Sequence, residues 1–252
     1  LADAGLTKDD VDGYFCAGDA PGFGGLSLID YLGLKNVRHI DSTETGGSSY
    51  IVHVGHAAQA IAAGKCSVAL ITLAGRPRHG GRRPGAGMAA GGGGLTDGPP
   101  EAGFENIYGG STHNTYGMCA MRHMHEYGTT SEQLAWIKVA ASHHAQWNPN
   151  AFLKDVVTVE DVVNSRMISD PLHLLDCCVV TDGGGALIVT SPEVARSLNR
   201  PKVRVMGAGE APKGPRGGLD LDLTHSGAVW SGPRAFEEAG VTPADIKYAS
   251  IY

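Results

Sequence analysis

Positive charge is scarce in this sequence: 20 lysines and arginines stand against 26 aspartates and glutamates, for a formal charge of −6, and the longest basic run is Arg82-Arg83. That balance excludes a broad electrostatic surface for nucleic acid. Apolar runs are short, and none reaches the ~18 residues that a membrane span needs. The opening residues, Leu1 to Asp10, lack the charged-then-apolar layout of a secretory leader. Cysteine is sparse and shows no CxxC spacing: Cys16, Cys66, Cys119, Cys177 and Cys178 are odd in number and sit in apolar segments. Neither a disulfide framework nor a structural zinc site fits that pattern, and the expectation is a soluble protein of a reducing, cytoplasmic compartment. What the chain does have is 42% apolar residues over a length of 252. That is enough for a real core in one domain or one and a half, at roughly 150 residues per domain.

The most informative pattern is a repeat. Ala4-Gly5-Leu6-Thr7-Lys8-Asp9-Asp10-Val11 returns as Ala239-Gly240-Val241-Thr242-Pro243-Ala244-Asp245-Ile246, which predicts two related halves. In each copy a helix closes at Ala-Gly, where glycine takes the left-handed conformation that stops a helix, and an apolar run suited to a strand follows. The first copy begins inside its helix and Tyr252 follows the second almost at once, so both termini are expected to cut through structured elements. Between the copies, Val37 to Asp41 reads as a short strand, Ile51, Val54, Ala58 and Ile61 recur at helical spacing within Ser48 to Ala63, and Ser67 to Leu73 is almost continuously apolar. That succession predicts a parallel sheet covered on both faces. Gly75 to Gly110 contains GAGMAAGGGG and reads as a long surface excursion. Helices are predicted from about Thr130, with Thr130 and Gln133 as a capping box, and after Thr158. Ala186 to Thr190 returns to the buried-strand pattern, and Val203 to Gly207 opens the second half.

Chemistry concentrates at Ile40 to Gly64, where a strand passes through Gly46-Gly47 into a helix whose first turn carries Ser48 and Ser49. A helix start is electropositive: its N–H groups hold a thiolate or an oxyanion, and paired glycines let a ligand approach the backbone closely. The same residues also read as a glycine turn with a serine cap. His53 and His56 share one face of this helix, a turn further on, where they can line a pocket. Two histidines at i,i+3 without further ligands make no zinc site. His123, His125, His143 and His144 fall on or beside helices, where solvated or packed histidines are the ordinary reading, and no metal is implied.

These segments resemble the thiolase superfamily, and specifically its sterol-carrier and lipid-transfer types. In thiolases a strand ends in Cys-Ala-Ser-Gly or Cys-Ala-Thr-Gly at the start of a buried helix; Gly47-Ser48-Ser49-Tyr50 occupies that place, and the helix runs to Ala63-Gly64 at matching length. The stretch from Leu174 through Asp176-Cys177-Cys178 to Thr181-Asp182-Gly183-Gly184-Gly185-Ala186 is similar to the Cys-Cys-Pro-x-Ser/Thr-Asp-Gly-Ala-Ala-Ala segment of the sterol-carrier type. His125-Glu126-Tyr127-Gly128-Thr129 and Trp147-Asn148-Pro149 resemble that subgroup's loop domain. The resemblance implies an α/β thiolase fold, with duplicated halves in a layered αβαβα arrangement and an inserted loop domain. The amino-terminal half would take residues 1–75 and 165–198 without its first strand, the insert 76–164, and the start of an incomplete second half 199–252. It also implies a homodimer, coenzyme A as part of the substrate rather than as a resident cofactor, and a small OB-fold or zinc-ribbon partner in some members.

The departure from the family lies at Gly47. A thiolase needs a thiol whose pKa is lowered by the helix start, and glycine has none. Cys66 follows the helix end, where the dipole disfavours a thiolate, Cys177-Cys178 matches structural residues of the family, and a serine without a base is a poor nucleophile. Tyr252 falls on the first position of the family's Asn-Glu-Ala-Phe motif, which reads His-Asp-Cys-Phe in sterol-carrier types, and is the acid/base candidate; the downstream His-Gly-Gly and Cys-x-Gly motifs do not occur. Gly46, Gly47, Ser48, Ser49 and His53 are the candidate substrate-binding residues. Three versions stay open: acyl-CoA processing inherited from the family, retro-aldol cleavage of a β-hydroxyacyl-CoA without a covalent intermediate, and a catalytically inactive acyl-CoA or lipid binder.

Overall fold

The computed structural model describes residues 1–17, 25–75, 78–79, 112–213 and 222–251. Contacts group the chain into one unit of Leu1–Gly80, Thr181–Pro212 and Gly227–Tyr252 and another of Gly81–Val180 and Lys213–Ser226. In chain order the first unit contributes β1 (Gly13–Cys16), α1 (Gly25–Leu32), β2 (His39–Asp41), α2 (Ser49–Ala62) and β3 (Val68–Gly75). The second holds α3 (Thr112–Tyr127), α4 (Ser131–Ala145), α5 (Val159–Val163) and the hairpin strands β4 (Met167–Ser169) and β5 (Leu172–His173). The chain then returns to the first unit as β6 (Gly183–Thr190), α6 (Pro192–Ser197) and α7 (Ala228–Ala239). Most of the glycine-rich excursion predicted for Gly75 to Gly110 lies outside the described residues.

In the first unit the sheet order is β2-β1-β3-β6. β1 runs parallel to β2 and to β3, whereas β6 pairs antiparallel with β3 from Val68↔Thr190 to Gly75↔Gly183. Strand alternation sends Tyr14, Cys16, Val68 and Leu70 to one face, where they pack with Leu28 and Leu34. Phe15, Ala69 and Ile71 go to the other, against Ala57 and Ala60 of α2. Both faces are thus covered, which is why β1 is apolar throughout and buried at every position. Inside the first cluster the Tyr14 phenol is bonded to Thr72 Oγ1 at 2.7 Å, which satisfies an otherwise orphaned hydroxyl.

The apolar run at Ala186 to Thr190 does form a strand, but none of its residues is buried. Ile188 joins one cluster and Val189 the other, yet the strand has only β3 beside it among the described residues. An apolar run reports a strand with something on both faces and is silent about whether it has one neighbour or two. Residues 203–207, where the second half is expected to open, form no strand. At the end of this stretch the Ala208 N–H donates to Glu238 Oε2 of α7 at 3.0 Å, and Gly207 and Gly209 lie against α7 so closely that a Cβ would come within 2.5 Å of Ala235 O and 2.1 Å of Ser231 O.

The repeat folds alike in both copies. Gly5 and Gly240 take φ of 74° and 66°, ending their helical turns in the left-handed region. Thr7 then bonds Asp10, and Thr242 bonds Asp245, each through its N–H and its hydroxyl. The first copy continues into β1, whereas residues 246–251 form no strand, and Tyr248 and Ile251 are 87% and 89% exposed. A strand needs a neighbour to take its backbone bonds, and no described strand runs beside this one.

In the second unit the predicted capping box is present, Thr130 Oγ1 accepting from Gln133 N–H, and a second one opens the helix expected after Thr158, with Thr158 Oγ1 accepting from Asp161 N–H; each side chain reciprocates. α4 and α5 pack against each other, and Ala135 and Val139 of the one and Val162 of the other are buried. Among the described residues no helix is long and apolar enough to cross a membrane. Gly209→Ala forces a methyl into the Ser231 carbonyl and is expected to lower unfolding stability by about 1–3 kcal/mol; urea denaturation measures it, with Gly232→Ala, whose added carbon meets nothing, as the control.

Candidate active site

Ligands of parallel α/β sheets bind where strands end and helices begin. Here that edge carries the loop from Asp41 at the end of β2 to Ser49 at the start of α2. The loop is held by its own side chains. Asp41 Oδ1 accepts from Thr43 N–H at 2.8 Å and from Thr43 Oγ1 at 2.6 Å, a turn built on the Asp-x-Thr spacing. Gly46 bends the chain at φ 74°, a conformation that favours glycine. Its N–H donates to Glu44 Oε1 at 2.7 Å.

Ser48 and Ser49 do not cap the helix as predicted. Ser48 is already helical, at φ −81° and ψ −8°, so its hydroxyl turns back to donate to the Thr45 carbonyl at 3.1 Å. Ser49 is fully buried. Its Oγ accepts from Thr45 N–H at 2.8 Å and lies 2.7 Å from the Gly46 carbonyl and 3.1 Å from Glu44 Oε1, its proton acceptors. The serines thus tie down the turn that precedes the helix and leave the helix start to its backbone. Gly46, Gly47 and Ser48 are exposed, and a Cβ at Gly46 would meet nothing within 4 Å.

The two histidines of α2 differ. His53 is fully buried, packed against Phe15 and Tyr50, and its Nε2–H donates to the Thr43 carbonyl at 3.0 Å. Burial lowers its pKa and keeps the ring neutral. His56 has carboxylates on both nitrogens: Asp41 Oδ2 at 2.6 Å from Nδ1 and Glu210 Oε1 at 2.8 Å from Nε2. Burial alone pulls His56 down, but the bonds to Asp41 and Glu210 outweigh it and its pKa is raised. For Asp41, burial is outweighed in the same way by the bonds from Thr43 and His56, and the carboxyl is lowered.

No cysteine stands in this turn or in α2, since none occurs between Cys16 and Cys66. Burial pushes Cys16, Cys66, Cys119 and Cys177 up, towards the unreactive protonated form. Cys66 lies beyond the far end of α2, a helix about 21 Å long by its 1.5 Å rise, and beside Gly13 at the opening of β1. Among the described residues no three His, Cys, Asp or Glu side chains converge as a metal ion requires. Tyr252 lies outside the described residues. Sequence reasoning did not single out Asp41, Glu44 or Glu210: the Asp-x-Thr spacing was a readable signal for the first, whereas Glu210 meets His56 across 154 positions.

Comparison with known proteins agrees with this architecture. No protein-family model matches the chain. It is 33% identical over its whole length to a "17-hydroxy-3-oxo-4-pregnene-20-carboxyl-CoA lyase" of Mycobacterium tuberculosis, covering 67% of that protein. It is equally 33% identical to a "Steroid side-chain-cleaving aldolase" of Thermomonospora curvata, covering 66% of it. Of solved structures, the "Ltp2-ChsH2(DUF35) aldolase" superposes with a TM-score of 0.80 at 30% identity over 97% of this chain and 63% of that one. The SCP2-thiolase like protein type 1 of Mycobacterium smegmatis shares the fold, with a TM-score of 0.68 at 20% identity over 95% of this chain and 49% of that one. The chain belongs to the thiolase superfamily and has its α/β fold. Its relatives there are SCP2-thiolase-like proteins and steroid side-chain aldolases, and it spans about two thirds of the length of the two aldolase-type relatives.

Ser49→Ala removes the hydroxyl that accepts from the Thr45 N–H and bonds the Gly46 carbonyl, and is expected to cost about 0.5–1.5 kcal/mol, the net range for an intramolecular hydrogen bond, read as a lowered denaturant midpoint at unchanged slope. The two histidines set opposite pH limits. His53, depressed, contributes stability that is present above the ordinary imidazole value of 6.5 and is lost as pH falls through its folded value. His56, raised, contributes stability that is full below 6.5 and is lost as pH rises through its folded value. A His53→Gln variant, titrated by calorimetry from pH 5 to 9, is expected to lose the acid-side limb of the stability profile and keep the alkaline one.

Proposed function

We propose that this chain forms part of an enzyme that breaks a carbon–carbon bond next to a CoA thioester by retro-aldol cleavage, without a covalent intermediate. The observation that carries the reading is the exposed, thiol-free helix start at Gly46 to Ser49 in a thiolase-superfamily chain. The names of its relatives, an aldolase and a CoA lyase, support the same reaction class. The substrate would be a β-hydroxyacyl-CoA with a branched β carbon. A base takes the β-hydroxyl proton, the bond between the α and β carbons breaks to leave a ketone, and its electrons pass into a thioester enolate. The enolate is then protonated on the α carbon, so no CoA is consumed.

The enolate oxygen needs fixed N–H donors. Those of Gly46 and Ser49 already donate, to Glu44 and to the Gly46 carbonyl, so the amides of Gly47 and Ser48 are assigned to receive it. Ser49 and His53 are assigned to positioning, since both are buried and bonded to the turn. Tyr252 is the proposed acid/base; with an ordinary pKa near ~10 it needs a neighbouring group to act at neutral pH. Coenzyme A enters only as part of the substrate. We further propose a homodimer that works with a small OB-fold or zinc-ribbon component, in keeping with the two names in the Ltp2-ChsH2(DUF35) aldolase. The five free cysteines fit a cytoplasmic setting.

The test is an assay of the full-length protein with a branched β-hydroxyacyl-CoA and, separately, with a β-ketoacyl-CoA plus CoA. Ketone release without CoA consumption is expected; thiolytic turnover, or an acyl group trapped covalently on the polypeptide, rejects the proposal. Silence with both substrates but retained thioester binding favours an inactive binder. Tyr252→Phe is expected to slow ketone release by about 100-fold, and an unchanged rate removes the phenol from the reaction.

A further inference from the structure

The bonds of His56 join the candidate turn to the segment following β6. A carboxylate can only accept, so the contacts of His56 with Asp41 and Glu210 coexist as hydrogen bonds only when both ring nitrogens carry protons. Asp41 holds Thr43 with its other oxygen, and so passes the constraint to the turn. Glu210 is anchored in its own way: its carbonyl accepts from Arg234 Nη1 of α7 at 2.9 Å, and two residues earlier Ala208 rests on Gly55, whose added Cβ would come within 2.8 Å of the alanine methyl.

We propose that His56 is a positioning residue for the turn at Gly46 to Ser49, working as a doubly protonated clamp between Asp41 and Glu210, and that alkaline loss of its proton releases the turn and weakens thioester binding there. The last step rests on the thioester reading above.

The groups facing the ring agree with this. Asp41 approaches from β2 and Glu210 from the segment after β6, with Glu238 of α7 on the neighbouring amide. Arg234, the cation directed at this segment from α7, points to the Glu210 carbonyl. On α2 itself His53 stands 6.4 Å away between ring centroids and is kept neutral by burial, so it adds no competing charge. The raised pKa of His56 and the lowered pKa of Asp41 put the clamp's working range on the acid side of the His56 titration, down to the point where Asp41 is protonated.

Hydrogen exchange and histidine NMR on the full-length protein test the clamp without any substrate. In the wild type, both His56 N–H groups should be visible near neutral pH and the ring should titrate above 6.5. His56→Gln should speed exchange in residues 42–50 and 205–212 by about tenfold or more while leaving α4 unchanged, as expected for losing a charge-assisted bond locally rather than for global unfolding. Glu210→Gln, which keeps the shape and removes the charge, should lower the His56 titration and loosen 205–212. Unmoved exchange in His56→Gln, or a wild-type ring titrating at or below 6.5, overturns the proposal. A second measurement follows acetyl-CoA binding against pH: affinity should fall through the His56 titration in the wild type and stay flat in His56→Gln. If exchange and titration behave as expected but acetyl-CoA affinity ignores them, the clamp stands and the placement of the thioester at this turn fails.

Discussion

Everything at the candidate site depends on how a buried helix is entered from the end of a strand. Eight positions separate Asp41 from Ser49, and the chain must bend sharply within them while keeping its polar groups bonded. Asp41 closes the first turn, Glu44 takes the Gly46 amide, and Ser49 folds back over the Gly46 carbonyl. His53 then fixes the middle of the loop from below through the Thr43 carbonyl. Remove these bonds and the helix would still pack, because Ala57 and Ala60 seat it on the sheet, but its first amides would have no defined direction.

That arrangement is compatible with glycine at the position where the resemblance to thiolases puts their nucleophile. A reactive cysteine asks the helix start to stabilise negative charge on sulfur. Without it, the same oriented amides remain and can stabilise charge on an oxygen instead. In the proposed reaction the amides keep their electrostatic role and no thiol is used; burial pushes the Cys16 and Cys66 thiols towards protonation.

Local features were readable from sequence because their causes are local. The capping boxes at Thr130 and Thr158, the glycine stops at Gly5 and Gly240, and the boundaries of α2 each follow from residues within a turn of one another. The serines misled for the same reason: Ser48 and Ser49 have the composition of a cap, and only the backbone angles show that Ser48 is already inside the helical turn. The exposure of β6 and the bonds of the segment around Ala208 were not readable because the neighbours that decide them come from elsewhere in the chain: β3 in one case, α2 and α7 in the other. The site was legible as a place, through Gly46, Gly47 and the family resemblance. Its ionic partners were not, since no spacing rule connects His56 to Glu210.

The contact between Gly55 and Ala208 carries a consequence for the history of this chain. The two residues divide a single small volume, with the helix giving up its side chain so that a methyl from the opposing segment can fill the gap. Gly55 cannot gain a side chain while Ala208 keeps its methyl, but exchanging the pair to alanine on the helix and glycine opposite preserves the total. Drift at the helix position should therefore proceed by matched steps, a side chain at 55 appearing together with the loss of the methyl at 208.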